Sequence, residues 1–405
     1  MPPHLPATEE NVAAVEKLPG VQQVYKFFTE QADWLLAEQI RITEIPAPAF
    51  AEAARARYFK EQFQRLGLVN VRQDEVGNVL GEYPGRSNEL VIVSAHLDTV
   101  FPAETPTVVR REGSRYVGPG ISDNSNGLVT LLALVRALRE AGIQTQATLL
   151  FVVNVGEEGE GDLRGIKHLL EDADRRERLR AMVVVDGSGN ERLTRRALPS
   201  KRFEIIVRGP GGHSWADFGL PNPIHALARV VSDSTRFRIP KRPQTVFNVG
   251  EIAGGTSVNS IPYQAAMKID IRSESAGEIA RLETALRKAV EQAVAAENQA
   301  AQRRERLSFE IRVIGERPGG EVPESARIVQ VFRSVDRHLG IQTQIRTAST
   351  DANIPMALGL EAVAVGGGGR AGAAHSLREW YEPTSREVGL KRIFLAILLL
   401  AGVEL

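Results

Sequence analysis

A chain of 405 residues is too long for one ordinary hydrophobic core, so two domains are expected. Fifty Lys and Arg balance fifty Asp and Glu, which leaves no basic surplus to neutralise phosphates and argues against nucleic acid as a partner. Cysteine is absent, so disulfides and thiolate ligands are excluded and any metal must be held by His, Asp and Glu.

The start of the chain has no basic region followed by an apolar run, so it does not read as a secretion signal. No stretch reaches the ~18 apolar residues that cross a bilayer, and no membrane association is expected. A cytoplasmic location follows by default. Residues 21–66 read as helical, with a break at Ile45-Pro46-Ala47-Pro48, where two prolines forbid a continuous ladder, and a stop at Gly67. Residues 90–94, 148–155 and 181–185 then read as fully buried strands. Between the first two lies a helix over about 127–141, ended by Gly142. Strand, helix and strand repeated in this way predict an α/β fold with a doubly wound, mostly parallel sheet, which a strand at 361–365 rejoins.

The middle has another texture. Strand (203–208), helix (223–237), two strands (245–252 and 265–271), a long helix (276–300) and a last strand (307–314) follow in order. That is β-α-β-β-α-β, a split-βαβ, ferredoxin-like α+β insert. Its edges are placed so that 200–316 forms the insert, and 1–199 with 317–405 forms the main domain.

In an open α/β sheet, ligands bind beyond the carboxyl ends of the strands. His96 and Asp98 follow the first buried strand, Glu157 and Glu158 the second, and Asp186 the third. Asp123 lies in a loop rich in glycine at 118–124, and His375 follows the late strand. Each has an ordinary reading by itself. A His at a strand end is commonly a hydrogen-bonded structural residue, a Glu pair is commonly solvated, and Asp123 is placed to cap a helix. Convergence of all of them at successive strand ends of one sheet points to a metal site. Three carboxylates (Asp123, Glu158, Asp186) and two neutral imidazoles (His96, His375) suit two divalent cations and one bridging hydroxide. A single cation would leave a surplus anion in a poorly solvated pocket.

At these segments the sequence resembles a known family. His96-Leu97-Asp98, Gly120 to Gly127 with Asp123-Asn124, Glu157-Glu158-Gly159 and Ala374-His375-Ser376 resemble the metal-site segments of the di-zinc peptidase T, glutamate carboxypeptidase, dipeptidase and aminoacylase family, in the same order. The resemblance implies that His96 and Asp186 hold one zinc, Glu158 and His375 the other, and Asp123 bridges them. It implies Glu157 as general base, Asp98 as the residue that orients His96, and a cis peptide bond after Asp123 as a candidate feature. It also makes the insert a lid and dimerisation domain, with His213 stabilising an oxyanion in the partner subunit's site of a homodimer. Asn259 and Arg317 match positions that grip a substrate carboxylate, a task suited to the planar fork of Arg. His4, His168, His225 and His338 have no matching context.

The ligand at 186 is Asp, which within this resemblance leans toward aminopeptidases and dipeptidases. The expectation is therefore amide hydrolysis in short peptides with two Zn²⁺ per subunit, Co²⁺ and Mn²⁺ suiting the same donors. An N-acyl amino acid deacylase or carboxypeptidase is the alternative within the chemistry. A metal-binding homologue without catalysis is the alternative outside it, and retention of Glu157 speaks against that.

Overall fold

The computed structural model describes residues 6–404, so His4 lies outside the described residues. The chain divides into two compact units, Met1–Ala197 with Gly320–Leu405, and Leu198–Gly319. In the first, strand Leu90–His96 lies between Thr148–Asn154 and Leu179–Val185, parallel to both, and Ala362–Val365 continues the parallel run. Every residue of Leu90–His96 and Thr148–Asn154 is buried. Unbroken apolar strands of this kind need cover on both faces. Helices Ser125–Ala141 and Arg386–Ala401, themselves buried along most of their length, pack against these central strands.

The sheet is mixed rather than mostly parallel. Strands Val69–Gln73 and Val79–Tyr83 form an antiparallel hairpin that adds to Thr148–Asn154. At the other side, Arg192–Ala197 pairs antiparallel with Ala362–Val365. The sequence pattern hid these strands for a physical reason. Val69-Asn70-Val71-Arg72-Gln73 is short and largely exposed, and Arg192–Ala197 carries three arginines, so neither has an apolar run. A second small sheet, joining Arg370–Gly372, Trp380–Glu382, Arg115–Val117 and Arg110–Glu112, was equally unmarked.

The second unit has four antiparallel strands in the order Thr245–Gly254, Gln264–Ser273, Ser200–Arg208, Ser308–Arg317. Helices Pro223–Ser234 and Ala276–Ala300 cover one face. Strand Gln264–Ser273 alternates in burial, placing Met267, Ile269 and Ile271 in a core with Phe203, Leu282 and Leu286. The last strand runs to Arg317, which pairs with Ser200. Arg317 thus belongs to this unit, and the expected boundary after 316 moves to Gly319. Among the described residues, no helix is long and apolar enough to cross a membrane.

Candidate metal centre

Register explains why the donors of the first unit converge. In the parallel ladders His96 is level with Asn154, and Ser94 is level with Val184. The three central strands therefore end together, and the chain just beyond them carries Asp98, Glu157, Glu158 and Asp186. Asp123 arrives from the loop before helix Ser125–Ala141. Asn124 caps that helix, its Oδ1 accepting from the Gly127 N–H at 3.1 Å and the Gly187 N–H at 3.1 Å, while its Nδ2 donates to the Val185 carbonyl at 2.9 Å. One side chain so ties the helix start to the end of the Leu179–Val185 strand. A Cβ at Gly127 would lie 2.3 Å from Asn124 Oδ1 and 2.4 Å from the Val185 carbonyl oxygen, so this position requires glycine. The Asp123-Asn124 peptide bond is cis.

The carboxylate of Asp123 faces two imidazoles with different oxygens. Its Oδ1 lies 3.1 Å from His96 Nε2, and its Oδ2 lies 3.1 Å from His375 Nε2. Glu158 Oε1 is 3.1 Å from His375 Nε2, and Asp186 Oδ1 is 3.9 Å from His96 Nε2. Among the described residues three donor groups result: His96 with Asp123 and Asp186, Asp123 with Glu158 and His375, and His96 with Glu157 and Glu158. Donors around a tetrahedral zinc with bonds of about 2.0–2.1 Å stand roughly 3.3 Å apart, so the residues present fit the metals.

The electrostatics ask for cations as well. Burial by itself would lower the pKa of His96, yet hydrogen bonds with Asp123, Asp186 and Asp98 raise it well above the ordinary value. Hydrogen bonds with Asp123 and Glu158 push His375 up to about 10. Asp123 is held far below the usual carboxylate range by the two imidazoles, against the effect of burial.

The Asp98 carboxylate is bonded to the backbone of the neighbouring strand end. Its Oδ1 accepts from the Glu157 N–H at 2.9 Å and its Oδ2 from the Glu158 N–H at 2.8 Å, so it clamps the strand end that carries both glutamates. His96 Nδ1 is 3.0 Å from the Asp98 carbonyl oxygen and 3.6 Å from its carboxylate. A carbonyl only accepts, so Nδ1 bears the proton and Nε2 is the atom turned to a metal. The Glu157 carboxylate is grouped with His96 and Glu158 and is buried.

Two buried acids escaped the sequence reading. Glu379 accepts from the N–H groups of Gly120 (3.1 Å), Ser122 (2.8 Å) and Asp123 (2.9 Å), fastening the loop that delivers Asp123. Its place four residues after His375 was the one available signal. Asp351 is fully buried and its Oδ2 accepts from Asn154 Nδ2 at 2.7 Å. Nothing in its local sequence marks it.

The remaining residues of interest lie in the second unit. His213 is exposed on a two-residue strand paired with Ser260–Ile261, and its Nδ1 accepts from the N–H groups of Trp215 and Ala216 at 3.2 and 3.4 Å. Asn259 adjoins it, its carbonyl accepting from the Ser214 N–H at 3.0 Å. Arg317 is not brought to them. It pairs with Ser200 at one end of strand Ser200–Arg208, while the His213 hairpin follows the other end. Eight steps of about 3.3 Å put roughly 26 Å between those ends.

The family model for Peptidase family M20/M25/M40 matches residues 92–398. The chain belongs to this family. It is 24% identical over 231 residues to carboxypeptidase G2 of Pseudomonas sp. (strain RS-16), covering 54% of each chain. It spans about half the length of the curated relatives it matches. Its fold is similar to that of aminopeptidase PepT from Bacillus cereus, with a TM-score of 0.69, 19% identity and coverage of 92% of this chain and 99% of that one. It is also similar to a dinuclear metal-binding M20 peptidase of Bacillus subtilis, with a TM-score of 0.65, 16% identity and coverage of 93% and 99%.

Proposed function

We propose that the protein is a two-metal amide hydrolase acting on short peptides, an aminopeptidase or dipeptidase in preference to a deacylase. The observation that carries this is Asp123, whose two oxygens each stand 3.1 Å from a different imidazole. His96 and Asp186 would hold one cation, Glu158 and His375 the other, with Asp123 shared. Two such cations supply Lewis acidity toward a carbonyl oxygen and lower the pKa of water. Zinc, cobalt and manganese all suit the donors.

The chain's own residues supply the rest. Glu157 takes a proton from the attacking water and passes it to the leaving amine. Asp98 fixes the backbone of Glu157 and Glu158, and through its carbonyl the tautomer of His96. Asp186 and the likeness to PepT favour the aminopeptidase reading. Similarity to carboxypeptidase G2 supports the second reading, a carboxypeptidase or N-acyl amino acid deacylase using the same donors.

His213 would donate a hydrogen bond to the oxyanion in a partner's site, in a homodimer formed through the inserted unit. The separation of Asn259 from Arg317 along the Ser200–Arg208 strand supports that arrangement. One chain alone cannot grip a single carboxylate with both, whereas a partner can supply Asn259 together with His213.

The test is to load metal-free protein with zinc, measure the metal per chain by elemental analysis, and assay di- and tripeptides beside N-acetyl amino acids. Two equivalents and peptide turnover are expected. Tight binding of one equivalent or none, or no hydrolysis of either substrate class, would overturn the proposal.

A further inference from the structure

Beside the metal centre lies a cavity of about 630 Å³ whose lining comes wholly from the first unit. Asp123 and Asp186 belong to its wall, and so do Ser122, Ser188, Arg192 and Arg370. With both aspartates committed to cations, the charged groups left on the wall are Glu191, Arg192 and Arg370. Glu191 accepts from Gln344 Nε2 at 2.7 Å. Arg192 donates through Nη2 to the Asp186 carbonyl. The Arg370 guanidinium forms no hydrogen bond or ion pair among the described residues. Its cross-strand neighbour is Glu382, and the two side chains do not come within ion-pair distance.

Arg370 is an exposed residue on a closely packed stretch of this wall. It begins strand Arg370–Gly372, directly after Gly369, where a Cβ would lie 2.2 Å from the Tyr381 hydroxyl. Tyr381 is fully buried, and its hydroxyl accepts from Arg386 Nε at 2.6 Å. The backbone just before Arg370 therefore packs closely on a buried ring. The residues that continue this wall, Ala371, Gly372 and Ala374, are small, so Arg370 is the long side chain on that side. Opposite chemistry is also present. Ser122 and Ser188 share one hydrogen bond at 2.9 Å, which leaves a hydroxyl to turn toward a ligand oxygen.

We propose that this cavity is an anion subsite, taking a second carboxylate carried by the side chain or acyl group of the substrate, and that Arg370 selects it. The inference rests on the hydrolase reading and narrows it to acidic peptides and acids acylated by dicarboxylates. A guanidinium fork matches a carboxylate with two parallel N–H···O bonds, and a metal pair close by adds to the attraction.

The test uses zinc-loaded enzyme and substrates matched in shape but not in charge: Glu-Ala with Gln-Ala, Ala-Glu with Ala-Gln, and N-succinyl-alanine with N-succinamoyl-alanine. In at least one pair the acid should exceed its amide in kcat/KM by about tenfold or more. Arg370→Gln should collapse that ratio to near one, Arg370→Lys should keep part of it, and zinc content should not change. A wild-type ratio near one in all pairs, or a ratio unmoved by Arg370→Gln, would overturn the subsite. Calorimetry separates this from the hydrolase reading. Glutarate should bind about tenfold more tightly than glutaramate, and Arg370→Gln should abolish the difference. That result without turnover of any peptide would sink the hydrolase reading and keep the subsite. Peptide turnover with a glutarate preference that ignores Arg370 would do the reverse.

Discussion

The strand ends of the first unit and the His213 hairpin of the second are built in opposite ways. At the strand ends, His96, Asp98, Glu157 and Glu158 are all at least nine-tenths buried, and a parallel register fixes where each stands. At the hairpin the strands are two residues long, and Trp215 (87% exposed), Phe218 (70%) and Val258 (102%) face outward around an exposed His213. A donor set closed within one chain needs no other molecule to be complete. Exposed apolar side chains on the segments that carry His213 are surface that gains by being covered. The first region gathers candidate metal donors from one chain, and the second exposes apolar side chains on the segments that carry His213.

The largest break in that contrast comes from Asp123→Ala. It removes the oxygens that face both histidines, so both metals should be lost together and activity should fall by on the order of 10⁴-fold or more. Elemental analysis checks it, and retention of two equivalents would show that Asp123 is not shared. Glu157→Ala comes next. It should keep both metals while turnover drops by about 10²–10⁴-fold. Loss of one metal in this variant would make Glu157 a ligand, which its grouping with His96 and Glu158 leaves open to measurement.

His213→Ala tests the other region. Zinc content should not change, and turnover should fall by about 10²–10³-fold for one lost oxyanion donor. Mixing this variant with Glu157→Ala should restore activity, because one site of the mixed dimer would draw both residues from intact chains. No recovery after verified subunit exchange would confine His213 to its own chain or remove it from the reaction.

What was legible in the sequence follows the same division. Buried parallel strands are continuous apolar runs, so a charged residue right after one, such as Asp186 after Val185, stands out against its surroundings. The helix expected from about 127 and the long helix Ala276–Ala300 were equally visible through their sustained period. The first, however, begins at Ser125 and its cap is Asn124, one residue after the Asp123 that the sequence offered. The edge strands were not, because an edge tolerates arginine and a run such as Arg192–Ala197 has no period to detect. The supporting bonds were invisible for a different reason. Glu379 meets the Asp123 N–H across 256 residues of sequence, and Asp98 meets the Glu157 N–H across 59. Both partners are backbone groups, which carry no residue type to recognise. The split between Asn259 and Arg317 likewise required the register of Ser200–Arg208 with Ser308–Arg317.

The smallest effect lies behind the metal centre, at Asp351, and concerns stability instead of rate. Burial pushes its carboxyl up to about 7, against the hydrogen bond it accepts from Asn154. Its unfolded value is about 3.9. A raised acid binds its proton more tightly in the folded chain, so its contribution is most favourable below pH 4 and is lost as pH rises through 7. Asp351→Asn removes this titration while keeping a neutral side chain of the same shape. In metal-free protein, the unfolding free energy of the wild type should therefore fall relative to the variant by on the order of 2 kcal/mol between pH 5 and pH 8. Urea unfolding at the two pH values measures it, and taking the difference between the proteins cancels the titrating groups that do not interact with Asp351. A gap that stays constant with pH would mean that Asp351 ionises normally despite its burial. The strand-end region would then be better solvated than its packing indicates, and its contrast with the exposed hairpin would be one of geometry alone.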